Sequence, residues 1–308
     1  MPKLGRMFNY KRKRYKIIED GIMENDIVRK KIEEGKIIDI HNHIFPDKIA
    51  EKAVASTGNY YGIPMAGKGT VQDLLESGSK IRVSKYVIHS TATKPEQVKA
   101  INDYILSVQA SNSSFIGFGT LHPKFDNIEH EVERIVSLDI RGIKLHPDFQ
   151  RFYIDDAEMM PIYSAIQKKL PLLIHMGDEN LEFSEPKRLA KILDKFPDLT
   201  VIAAHLGGYS AWDDSVKYLV GRNVYFDTSS SLMFIDKEKS MKIIKTHGVE
   251  KILFGSDYPM WSHKDELIRL CNLDLTSREL ELILYENATA LFQKFKSTSY
   301  EKNINESK

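Results

Sequence analysis

One cysteine, Cys271, stands among 308 residues. It excludes an internal disulfide framework and fits a reducing compartment. No apolar run approaches the roughly 18 residues a membrane-spanning helix needs, so no membrane partner is expected. An excess of one charge is missing too. Lys and Arg total 44 against 43 Asp and Glu, so no global field draws nucleic acid to the chain. Behind the basic tetrad Lys11-Arg12-Lys13-Arg14 there is no apolar stretch of the kind a secretory signal carries. The tetrad reads as part of a solvated arm, and the expectation is a cytoplasmic protein that works on a small molecule. A Gly-rich phosphate loop after the first strand is also absent, and His41-Asn42-His43 occupies its place.

What is present is a rhythm. Apolar runs of strand length occur at Ile37–His41, Val83–His89, Phe115–Leu121, Gly142–Leu145, Pro171–His175, Thr200–His205, Asn223–Asp227 and Lys251–Gly255. A helix-like segment lies in each gap, as in Pro95–Gln109, Asp156–Lys169 and Glu185–Lys195. An amphipathic stretch, Ser277–Lys294, closes the series. Strands alternating with helices pair in parallel through crossovers. Eight such units predict an α/β fold, a (β/α)8 TIM barrel with an N-terminal helical extension. The expected division is an arm and short helix over residues 1–35, the barrel over 36–296 and a flexible tail over 297–308. Thr57–Thr70, with its glycines and Tyr60-Tyr61, reads as a loop over the barrel mouth.

The polar residues choose one end of this barrel. His41, His43, His89, His122, His146, His175 and His205 fall at or just past the C-terminal ends of strands, and Asp257 follows the eighth. Strand alternation places Asp39, His41 and His43 on one face and Ile38 and Ile40 on the other. Imidazole and carboxylate are the donors of Zn²⁺ and similar ions, and a catalytic site leaves one position for water or substrate. His130, His247 and His263 read as surface residues.

In this order the phrases Asp39-Ile40-His41-Asn42-His43, Gly142-Ile143-Lys144-Leu145-His146-Pro147, Ile174-His175-Met176-Gly177, Ala204-His205-Leu206-Gly207-Gly208 and Phe254-Gly255-Ser256-Asp257-Tyr258-Pro259 resemble the amidohydrolase superfamily. More narrowly they resemble its "amidohydrolase 2" branch of metal-dependent barrels, which includes aminocarboxymuconate-semialdehyde decarboxylase-like enzymes. The resemblance implies one divalent ion, Zn²⁺ first with Mn²⁺ or Fe²⁺ as alternatives, held by His41, His43, His175 and Asp257. It implies that His205 orients water or a substrate carbonyl and that Asp257 shuttles a proton. Lys144 is open among a carbamate bridging two metals, a cation for substrate and a paired structural lysine. His146, Arg151, Tyr258 and Trp261 are the further candidates for substrate contact, with Tyr60, Tyr61 and Trp212 on neighbouring loops. A homodimer is compatible with the resemblance.

The leading expectation is hydrolysis of an amide, lactone or ester by a metal-bound hydroxide. The alternative is non-oxidative decarboxylation of an aromatic or unsaturated acid on the same site. A TatD-type nuclease would want a basic stripe that is not there, and a non-catalytic barrel would have no need of the donor set.

Overall fold

The computed structural model describes residues 26–295. The basic tetrad, most of the expected arm and the expected tail lie outside them. The elements are α1 (Asp26–Glu34), β1 (Ile38–His43), α2 (Asp47–Tyr61), α3 (Val71–Ser79), β2 (Lys85–His89), α4 (Val98–Ser111), β3 (Phe115–Thr120), α5 (Ile128–Ser137) and β4 (Gly142–Leu145). They continue through α6 (Met160–Ile166), β5 (Leu172–Ile174), α7 (Pro186–Lys195), β6 (Val201–Ala203), α8 (Trp212–Tyr218), β7 (Tyr225–Asp227), α9 (Lys237–His247), β8 (Ile252–Leu253) and α10 (His263–Cys271). The chain ends in α11 (Ser277–Glu281), a π turn over Leu282–Glu286 and α12 (Asn287–Lys294).

The eight strands run parallel in sequence order. Closure between the last and the first comes from the Ile40 amide on the Phe254 carbonyl at 3.0 Å and the His43 amide on the Tyr258 carbonyl at 2.7 Å. This is the expected (β/α)8 barrel. Its interior is filled by Ile38, Ile40, Val87, Phe118, Leu173, Ile202 and Leu253. Ala288 and Leu291 of α12 pack on this cluster, so the last helix plugs the N-terminal end. A larger apolar layer lies between strands and helices and includes Ile37, Ile44, Ile88, Leu145 and Phe226.

One feature of β1 departs from simple alternation. Asp39 pairs with Tyr86 and Asn42 with Ile88, so one strand spends three residues where the other spends two. The extra residue is a bulge, which re-aims the side chains beyond it. Ile38 and Ile40 therefore point into the barrel, and His41 and His43 also turn inward at its mouth. Asp39 does not share their face. Its carboxylate accepts from the His41 and Ser256 amides at 3.0 Å each, with His263 Nε2 3.3 Å away.

Only the first five of the fourteen residues expected to be a mouth loop are helix. Thr57 through Tyr61 complete α2, which stops at Gly62 in a left-handed conformation (φ 62°). Asp26–Glu34 forms the short helix expected within residues 1–35, and Ser277–Lys294 is helical nearly as expected, with its π turn.

Candidate metal centre at the barrel mouth

His41 and His43 stand on β1, and His89 is the last residue of β2. His146 and His175 directly follow β4 and β5, while His205 and Asp257 lie on the loops after β6 and β8. Three donor atoms from them form a triangle. His41 Nε2 lies 3.3 Å from His43 Nε2 and 3.3 Å from Asp257 Oδ1, and His43 Nε2 lies 3.4 Å from the same oxygen. A divalent ion about 2.1 Å from each of its ligands sets donor separations of about 3.0 to 3.4 Å. The triangle has that size.

Second hydrogen bonds fix which nitrogens are free. His41 donates Nδ1–H to Asp227 Oδ2 at 2.8 Å, which leaves Nε2 with its lone pair. His175 donates Nε2–H to the Gly177 carbonyl at 2.9 Å, which leaves Nδ1 bare. His205 donates Nδ1–H to the Ser229 carbonyl at 3.1 Å, and its Nε2 faces His175 Nδ1 at 2.9 Å. Two lone pairs facing across 2.9 Å repel unless a cation or proton lies near them. Anchoring the far nitrogen on a carboxylate or carbonyl is how metal-binding imidazoles are held. By donor type, spacing and orientation the residues present fit a divalent ion. His175 stands one imidazole beyond the triangle, reached through His205, whose ring lies 5.2 Å from that of His41.

Charge agrees with this. Burial, then the Lys144 ammonium, lowers His41 to about 4, and burial also lowers His43, His89, His146 and His175. All are neutral at pH 7, the ligating form. For Asp257 burial works toward the neutral acid, but His41, His43 and His205 outweigh it and hold the carboxyl well below its usual range.

Asp227, at the end of β7, is the hub that the sequence reading missed. One oxygen holds His41; the other accepts from the His205 amide at 2.9 Å and the Ser229 amide at 3.0 Å. The same reading passed over Asp148, just beyond β4. It is 1% exposed, accepts from Ser184 Oγ at 2.5 Å and lies 3.9 Å from His175 Nε2. Burial raises it to about 7.

Lys144 is wholly buried inside the barrel, its Nζ 2.9 Å from His41 Nε2. Burial lowers it to about 8. At pH 7 an ammonium there opposes a dication, and shedding its proton one unit below its pKa costs about 1.4 kcal/mol. Lys144→Met should therefore tighten metal binding about tenfold at pH 7, with the gain gone above about pH 9, where the native amine is already neutral. Competition against a chromophoric chelator at both pH values measures it. Weaker binding in the variant would instead favour the carbamate role.

The donors open into a cavity of about 370 Å³. His43, His175, His205 and Asp257 lie at its floor, with His146, Asp148, Arg151, Tyr60, Tyr61, Phe149 and Tyr209 on its wall. His146 is sandwiched between Phe149 (3.9 Å) and His175 (3.8 Å). Of the expected substrate contacts, Lys144, Tyr258, Trp261 and Trp212 do not line this cavity. Tyr258 is fully buried, its hydroxyl donating to Asp73 at 2.5 Å and accepting from the Gly69 amide, so it pins the loop before α3. Trp261 is 2% exposed and donates Nε1–H to Ser230 Oγ at 2.9 Å, which in turn donates to Asp257 Oδ2 at 2.5 Å. It holds the carboxylate from behind. Trp212 likewise turns away and donates to the His205 carbonyl. Nor are His247 and His263 on the surface: His247 stacks on Phe226 at 3.9 Å, and His263 Nε2 donates to Asn42 Oδ1 at 3.0 Å.

Among solved structures, 5-carboxyvanillate decarboxylase from Sphingomonas paucimobilis is similar, with 16% identity, 84% of this chain and 99% of that one covered, and a TM-score of 0.65. An uncharacterised TIM-barrel protein from Bordetella bronchiseptica gives 17%, 84% and 99%, with a TM-score of 0.69. A dihydroxybenzoic acid decarboxylase from Polaromonas with bound manganese gives 17%, 85% and 98%, with a TM-score of 0.67. At such identities these likenesses concern the fold. The sequence model of the amidohydrolase family matches residues 38–294, from the first residue of β1 to the last of α12, and the chain belongs to that family.

Proposed function

We propose that this chain is a metal-dependent, non-oxidative decarboxylase of an aromatic carboxylic acid. The observation that carries the reading is a wall of aromatic rings facing the donor cluster across one cavity. Tyr60 and Tyr61 meet edge to face at 4.8 Å, Tyr60 and Phe149 at 5.1 Å, and Tyr61 and Tyr209 at 5.6 Å. Such a wall suits a flat ring. Support also comes from the fold relatives, two of which are decarboxylases of carboxyvanillate and of dihydroxybenzoic acid. They favour this reaction over the hydrolysis that led the expectations from sequence.

A divalent ion, when bound by His41, His43 and Asp257 with His175 beside them, would supply positive charge to hold substrate oxygens. Arg151 on the wall is the cation for a second anionic group. In the reaction the bond from ring carbon to carboxylate breaks, carbon dioxide leaves, and a proton takes its place on the ring. Two cavity carboxyls divide the labour because their environments push them apart. Asp257 stays ionised, whereas Asp148, raised to about 7, is protonated in about half of the molecules at neutral pH. Asp148 is the donor in this scheme, and His205 Nε2 is a fixed acceptor for a substrate hydroxyl.

The test is a panel of hydroxylated benzoic acids, followed by carbon dioxide release, alongside amides, lactones and esters. Release from at least one acid should stop on chelation and return with Mn²⁺ or Zn²⁺. Hydrolysis of the carbonyl panel with every acid untouched would overturn the reading.

A further inference from the structure

We infer that His89 is an additional metal ligand, contributed by β2, so that the centre is built on three imidazoles rather than on the His41–His43 pair alone. The inference rests on the metal-site reading above and extends it to a residue outside the matched donor phrases. His89 is fully buried, and neither of its ring nitrogens has a hydrogen-bond partner. A core imidazole normally satisfies at least one nitrogen, and leaving a buried polar atom unpaired costs about 1–3 kcal/mol. An ion supplies a partner for one of the two nitrogens.

The geometry agrees. His89 stands opposite His43 in the β1–β2 register. One nitrogen from each of His41, His43 and His89 lies within 4.8 Å of the others. The ring centroids are 5.2 Å apart for His41 and His43, 5.1 Å for His41 and His89, and 4.4 Å for His43 and His89. Imidazoles bound at about 2.1 Å and separated by 90–109° around one ion have centroids about 4.6 to 5.3 Å apart; both pairs with His41 fall in that range and His43–His89 lies just below it. None of the three pairs is stacked: the interplanar angles are 43°, 67° and 89°. The rings can therefore aim at a common point, as the parallel stack of His146 on His175 (10°) cannot. A third imidazole makes the site richer in nitrogen, which favours borderline ions such as Zn²⁺ and Co²⁺ over Mn²⁺.

The test uses the full chain stripped of metal and titrated with Co²⁺ alone, read by visible ligand-field absorption and by chelator competition. His89→Phe keeps ring and volume without the donor, and His89→Gln guards against a folding defect. Each should weaken Co²⁺ at least tenfold and shift its spectrum. Paramagnetic NMR of the Co²⁺ protein should show one hyperfine-shifted imidazole N–H fewer in the variant than in the native chain. Unchanged affinity and spectrum in both variants, with Co²⁺ lost in a His43→Ala control, would overturn the role of His89 alone. If the control also retains Co²⁺ unchanged, the metal-site reading beneath it falls as well.

Discussion

Asp257→Asn should lower metal affinity by at least about 100-fold and turnover by about 10³-fold, while the barrel stays folded. The variant is chosen because it changes charge and little else. Asp257 sits at φ 60°, a left-handed conformation that asparagine tolerates as well as aspartate does. An amide oxygen can still accept from Ser230, so the Trp261–Ser230 prop survives. What disappears is the anionic corner of the triangle with His41 and His43. Removing a residue that merely orients a ligand already costs 10–100-fold in metal affinity, and a ligand's own charge is worth more. A 10³-fold loss of rate corresponds to about 4 kcal/mol of barrier. Metal per chain after gel filtration, turnover under saturating metal and thermal midpoint together separate the effects. A full complement of tightly held metal in the variant would remove Asp257 from the centre.

How much of this was legible beforehand varies with the kind of feature. The barrel could be read because every strand declares itself as an apolar run and every crossover as a helix, each within its own stretch of chain. Most of the apolar runs are longer than their strands, as Thr200–His205 is against Val201–Ala203, but Gly142–Leu145 matches and the first strand runs on to His43. The rim of the barrel gave the histidines and Asp257. The same rule applies to Asp227, which ends β7, but an aspartate closing a strand is also an ordinary turn residue. Asp148 lies three residues beyond β4, inside a single turn over Pro147–Gln150, where nothing local distinguishes it from a solvated loop carboxyl. The bulge between Asp39 and Asn42 exists only against the partner strand, so strict alternation rightly sets Asp39 opposite Ile38 and Ile40 but wrongly groups it with His41 and His43. Tyr258 and Trp261 follow Asp257 in sequence, which alone makes them candidates for substrate contact. Direction at a loop is set by what the side chain meets, here Asp73 and Ser230, and those partners are distant in sequence.

Behind the centre lies a second site with a large effect, this one on stability. Arg269→Ala should lower the thermal midpoint by about 10 °C at pH 7.5. Arg269 and Glu266, one turn apart on α10, form a hydrogen-bonded ion pair with side chains only 4% and 1% exposed. The guanidinium also lies 5.0 Å from the centre of the Trp261 ring. Among the described residues Glu266 Oε2 and Arg269 Nε and Nη2 have no further partner, so each charge depends heavily on the other. Burial raises Glu266 to about 7 despite the arginine. Without Arg269 the carboxylate is buried and unpaired, which typically costs 3–5 kcal/mol. For a barrel of this size that is about 6–20 °C in midpoint. The sign of the pH dependence follows. A carboxyl raised in the folded state costs stability as pH climbs from its unfolded value near 4.3 towards its folded one. With Arg269 gone the folded value rises further, so the deficit of the variant should be larger at pH 7.5 than at pH 5.5, where the glutamic acid is neutral in the fold. The double variant Glu266→Leu with Arg269→Met should recover most of the loss, because two apolar side chains of similar length leave no charge behind. Paired thermal scans of the native chain, the single and the double variant at both pH values decide the matter. A single variant within about 2 °C of the native chain at pH 7.5 would show that the pair is solvated and that Trp261 does not rest on a buried cation.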